Sequence, residues 1–198
     1  MAPEGLDRLM ARLDALHRED PETEVVDGVA TPHALADAER LTRWVLRLEP
    51  HASEPLRIAA RGQHVQRWAL PRDRYPMTRA GYLTWRETLK AFHIRVVADL
   101  MRAEGYPVDV IDRVRTIMSK RRLSEDPEAQ TLEDALCLVF LETQFGQLRR
   151  KITDAKMQGV LVKTWRKMSV RAREAARRLP LGEEDRRCLA SALSGEGA

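Results

Sequence analysis

The tightest constraint on the fold is a long apolar stripe. From about Thr78 to Gly105, the residues Tyr82, Trp85, Leu89, Phe92, Val96, Leu100 and Ala103 recur at three- and four-residue spacing. Side chains at that spacing share one face of an α-helix. Gly105 stands where a helix ends in the left-handed conformation, so the stripe predicts one long helix. Such a face needs other helices to cover it.

The rest of the chain supplies them. Leu6, Leu9, Met10, Leu13 and Leu16 predict a first helix, closed by the turn-rich "REDPETEVVDGVATP". "HALADAERLTRWVLRLEP" carries Leu35, Ala38, Leu41, Val45 and Leu48 on one face and stops before Pro50. Ser53 caps a third helix, with Pro55 in its first turn. "PRDRYPM" is a loop, and residues 109–121 form another helix. Asp126 caps a helix over 127–145; a basic amphipathic helix from about 156 to 179 and a short closing one follow. Strand signal is confined to "TEVVDG". The expected fold class is all-α, a single-domain helical bundle over residues 1–198. It comprises an N-terminal helix in 1–19, a core in 20–145 and a basic C-terminal helical extension in 146–198.

Charged residues make up 32% of the chain and hydrophobic ones 43%, the balance of a soluble protein. The longest apolar run, "LCLVFL", is far too short for a membrane span, so no membrane partner and a cytoplasmic location are expected. Cys137 and Cys188 form no metal-binding spacing and are expected as free thiols. Charge is unevenly spread: residues 1–60 carry −5, residues 61–145 carry +2 and residues 146–198 carry +7. The basic tail, with Trp165 in "KTWRKMSVRAREAARR", offers RNA a surface; a solvated face is the alternative.

Several polar residues are carried inward. His93 falls within the stripe of Leu89, Val96 and Leu100, with Arg86 at its edge. Asp134 shares a face with Leu138 and Leu141, and Glu133 a neighbouring face with Cys137 and Phe140. A buried carboxylate needs a metal, an arginine or a proton. Ala59, Ala60 and Gly62 let other helices pack close, which presses Gln63, His64 and Arg67 against neighbours. Glu39 lies at the border of its helix's apolar arc, beside Leu46. Local partners, a carbonyl for a histidine or a loop arginine for a carboxylate, are the alternative to a shared site.

The runs "AARGQHVQRWALPR…YPMTRAGYLTWR", "DPEAQTLEDALCLVFLE" and "KTWRKMS" resemble an uncharacterised family of bacterial and fungal proteins often labelled glutamyl-tRNA synthetase. The nucleotide-binding α/β domain and HIGH-type motif of a class I synthetase are both missing. More remotely, the order of elements is similar to the HD-domain phosphohydrolases. "AARGQHVQRW" then occupies the His-Asp segment, "FHIRVVADLMRAEGY" the next histidine helix, and Asp134 the last aspartate, with Lys120 near a later histidine. The chain has no His-Asp dipeptide, and Glu39 or a neighbour stands at the first histidine position.

The resemblance implies a metal-dependent hydrolase acting on a small anionic, phosphorylated or nucleotide-like substrate. His64, His93 and Asp134, with Glu39 as a further candidate, would hold one divalent Mn, Fe or Zn ion. Glu133 or Glu39 would handle the proton. Arg67, Arg72, Arg86 and Lys120 would clamp the anion, and Gln63 and Trp68 would face the substrate. The alternatives are a non-catalytic ligand-binding module of the same fold and an RNA-associated protein using the basic tail.

Overall fold

Helices begin where a side chain can accept their free N–H groups, and several expected starts follow that rule. The computed structural model describes residues 3–121 and 123–194. Ser53 Oγ accepts from the Leu56 N–H at 3.2 Å, Thr78 Oγ1 from Gly81 at 3.1 Å, and Asp126 Oδ1 from Glu128 and Ala129. Each oxygen satisfies a donor that the first turn leaves without a carbonyl. The long helix ends as expected: Gly105 is left-handed at φ 76°, and the Tyr106 N–H returns to the Met101 carbonyl.

The described residues form ten α-helices and one small hairpin. In order these are α1 (Pro3–His17), β1 (Thr23–Val26), β2 (Val29–Pro32), α2 (His33–Leu48), α3 (Glu54–Gly62), α4 (Arg79–Ala103), α5 (Val108–Ser119), α6 (Pro127–Val139), α7 (Phe145–Arg149), α8 (Asp154–Lys167), α9 (Val170–Arg177) and α10 (Glu183–Ser194). The all-α class holds. The "TEVVDG" signal becomes β1, which pairs antiparallel with β2 in the register Val26↔Val29. Asp27 and Gly28 both take positive φ, as a two-residue hairpin turn requires.

The chain divides into two compact units, residues 1–132 and 133–198. In the first unit, α1 and α3 pack against α2, and α5 packs against α3 and α4. Leu9, Leu13, Val45, Leu56, Ile58, Val97, Met101 and Ile117 are buried there. α3 crosses α4 closely: a Cβ at Gly62 would lie 2.3 Å from Val97 Cγ2. That approach turns α4 slightly from the expected orientation. Its buried face runs Gly81, Trp85, Leu89, His93, Val97, Ala98 and Met101, while Tyr82 and Ala103 are exposed. His93 thus stands mid-stripe.

In the second unit, Leu138, Leu141, Phe145, Met157 and Leu161 are buried and α8 packs against α7 and α10. The helix expected over 127–145 widens into a π turn at Phe140–Gln144, where the Phe145 N–H reaches the Phe140 carbonyl. The helix expected over 156–179 is broken. Met168 is extended, and Ser169 caps α9 through the Ala172 N–H.

Candidate functional site

The segment following α3 makes a sharp turn. The Val65 N–H bonds to the Gly62 carbonyl, and Gln66 is left-handed at φ 51°. A non-glycine residue in that region carries backbone strain, and Arg67 just beyond it is exposed rather than pressed against neighbours as expected. Two histidines hang on this turn. His93 Nδ1 donates to the Val65 carbonyl at 2.7 Å, and His17 Nε2 donates to the Arg61 carbonyl at 2.8 Å. A carbonyl only accepts, so each bond fixes the tautomer and leaves the other ring nitrogen as an acceptor.

His64 lies between the two tethering carbonyls in sequence, with its ring centroid 6.1 Å from that of His93. Among the described residues, four buried side-chain atoms lack a hydrogen-bond partner. Three of them belong here: His17 Nδ1, Gln63 Oε1 and His93 Nε2. All three are acceptors, on side chains that are fully or almost fully buried.

The electrostatics keep the rings neutral. Loss of hydration on burial, above all, lowers His93 from 6.5 to about 4; the carbonyl bond opposes it, and the charges of Arg67, His17 and Lys120 reinforce it. His64 is driven well below its ordinary value by desolvation first, then by His93, Arg67, Lys120 and His17. His17 is lowered mainly by burial. Arg67 and Lys120 therefore sit close enough to act on the histidine pair. Lys120 caps α5 in the left-handed conformation at φ 52°.

The loop beyond the turn is strapped to α4. Trp85 Nε1 donates to the Leu70 carbonyl at 2.9 Å, and Gly81 lets Pro76 lie against the start of the helix, where a Cβ would meet the Pro76 oxygen at 2.1 Å. Arg67 stacks over Trp85 at 5.2 Å and Arg86 over Tyr82 at 5.8 Å. Arg72, expected in the anion clamp, gives its guanidinium to the carbonyls of Tyr75, Pro76 and Thr78, so it builds the loop. Trp68 is half-buried in the short turn Arg67–Ala69.

Three expected site residues have local partners. Glu39 is 52% exposed and paired with Arg61 at 3.7 Å. The apolar residues of α2 that face the core turn Glu39 outward, onto a shallow groove with Thr42, Arg43, Leu46 and Arg47. In the second unit, Glu133 meets Lys167 at 3.2 Å. Asp134 accepts from the Ser169 N–H at 2.8 Å and the Ser169 hydroxyl at 2.5 Å, and so pins the break between α8 and α9. Trp165 is buried and flanked by Arg173 and Arg177, not presented for stacking. Among the described residues neither Cys137 nor Cys188 is in a disulfide.

His17 escaped the sequence reading. The signal was its position four residues beyond Leu13 and eight beyond Leu9, on the face that proves fully buried. A second cluster lies at the hairpin. Among the described residues, Glu24, His33 and Asp37 form the trio whose ligand-type atoms all lie within 4.8 Å of one another; the three histidines are not drawn that close. Arg40 grips both oxygens of Glu24, at 2.8 and 2.6 Å. His33 bonds Glu24 at 2.8 Å and approaches Asp37 at 3.6 Å. The cluster latches the hairpin onto α2.

A family model matches residues 7–188. The chain belongs to that family, described as "Domain of unknown function (DUF4202)". The DUF4202 span takes in His17, Gln63, His64 and His93 together with the whole strapped loop. Searches of the curated proteins and of the solved structures returned no match. No helix among the described residues is long and apolar enough to cross a membrane.

Proposed function

We propose that this chain is a cytoplasmic hydrolase of a small anionic substrate, phosphorylated or nucleotide-like, working at a divalent transition-metal centre on His64 and His93. One observation carries the reading. His93 is buried and neutral, its Nδ1 proton is committed to the Val65 carbonyl, and its Nε2 is an acceptor without a partner. Metal-bound histidines take this form, because the outer N–H bond sets the tautomer and orients the lone pair. Imidazole donors suit Mn, Fe or Zn. The likeness in element order to HD-domain phosphohydrolases supports the same reading.

A bound metal would supply a water acidic enough to act as a nucleophile near neutral pH. The chain's own residues do the rest. Arg67 and Lys120, whose charges act on both rings, hold the anion beside them. Arg86 extends that positive wall along α4, and Trp85 keeps Arg67 in place by stacking. Arg72 holds the loop in shape. Glu39 and Glu133 take no part in this scheme, since each is paired with a cation.

Elemental analysis of protein purified without chelator tests the reading. One transition metal per chain is expected in the wild type and none in His64→Ala or His93→Ala, with phosphate release from monoester substrates lost in parallel. Wild-type protein that is metal-free and inert after Mn, Fe and Zn loading would count against it. A non-catalytic ligand-binding module is the second reading, favoured by the cations beside the rings and by the separation of the three histidines. It predicts that inorganic phosphate or a nucleotide raises the Tm of the metal-free protein without turnover.

A further inference from the structure

The turn at residues 61–65 gathers more than the His64/His93 pair. Its first and last residues, Arg61 and Val65, offer carbonyls one helical turn apart in sequence, and each holds one buried imidazole. His17 comes from the end of α1 and His93 from the middle of α4, so two helices distant in sequence meet the same short segment. That segment also carries Gln63 and His64. The side chains of His17, Gln63 and His93 are 0%, 6% and 3% exposed, and each ends in an acceptor with no donor.

An acceptor left so has given up its hydration with no donor in return. Three unpartnered acceptors gathered at one segment complement a cation, because a metal ion offers vacant coordination positions and brings no lone pairs of its own. We infer that His17 is a third nitrogen ligand of the metal proposed at His64 and His93, with the Gln63 side-chain oxygen completing the donor set. The inference rests on the metal reading above. Two histidines of fixed tautomer, a third between them and a neutral oxygen make a nitrogen-rich set suited to Zn, Fe or Co rather than Mg or Ca. The three rings stand wider apart here than ligand bonds of about 2.1 Å demand. Loading therefore draws them inward, His17 and His93 pivoting on their N–H···O bonds. The Glu24, His33 and Asp37 trio is the competing location, but Arg40 already occupies Glu24 there.

The test uses full-length apoprotein and Co2+ as the probe, with calorimetry and the visible ligand-field bands as readouts. The wild type binds one Co2+ per chain. His17→Gln raises Kd by more than about 100-fold and changes the bands, a larger loss than the roughly 10–100-fold that removing an orienting partner costs. His33→Gln binds as the wild type does. If His17→Gln loses 100-fold or less while His64→Ala and His93→Ala abolish binding, the inference is overturned and the metal reading stands. If His33→Gln is the variant that loses the ion, or the wild type binds none, both are overturned. Should His17→Gln fail to fold by circular dichroism, proton NMR of the Co2+-loaded wild type decides instead. Three hyperfine-shifted exchangeable imidazole N–H signals are expected, and two would remove His17 from the site.

Discussion

A single backbone carbonyl sets the chemistry of an imidazole. Val65 and Arg61 each take one N–H from His93 and His17, and with that bond they decide which nitrogen keeps a lone pair. Small residues matter as much at this scale. Gly62 is where α3 lies against the branched Val97. Gly62→Ala should cost about 1–3 kcal/mol through overpacking, read as a lower urea midpoint at unchanged slope. The double variant Gly62→Ala/Val97→Ala should cost less than the two single losses added together. Simple additivity would show that the close crossing is not what Gly62 provides. Proximity of this kind was half legible: Ala59, Ala60 and Gly62 announced a tight crossing, but nothing local identified Val97 as the partner.

Among the elements, capping residues were legible and interruptions were not. Ser53, Thr78, Asp126 and Gly105 act within one turn of their own helix, so their roles follow from local sequence. The break between α8 and α9 has a different origin. Asp134, thirty-five residues upstream, holds both the N–H and the hydroxyl of Ser169, while the periodicity of the segment continues through 179. Ser169→Ala should therefore cost about 1–3 kcal/mol, since it removes the cap of α9 and one of the hydrogen bonds to the buried Asp134 carboxylate. A loss below about 0.5 kcal/mol would mean that the break holds without Asp134. Inwardness, together with the likeness in element order to the HD-domain proteins, marked Asp134 for a metal. Its actual partner lies on a segment that no short-range pattern connects to it.

For the molecule as a whole, the buried histidines link stability to pH. The unfolded chain protonates its histidines near 6.5, whereas folded His93 does so only near 4. Between those values the unfolded state binds more protons, so stability is complete above pH 6.5 and falls as the pH drops toward 4. His93 alone should remove about 2 kcal/mol by pH 5, and His17 and His64 act in the same direction. Urea unfolding of chelator-treated protein at pH 7.5 and pH 5.0 measures this; equal midpoints would contradict the burial of neutral rings. His93→Phe should flatten the profile.

The sequence by itself determined the all-α class, most helix starts and stops, and the inward course of Gln63 and His93. Periodicity and capping are properties of neighbours within about one turn, and a single chain displays them in full. Tertiary structure alone decided which inward groups share a space. It hung His17 and His93 on one turn, gave Asp134 to Ser169 and turned Glu39 to solvent. Burying a polar group is costly until a partner is found, and that partner comes from whichever segment the packing brings alongside.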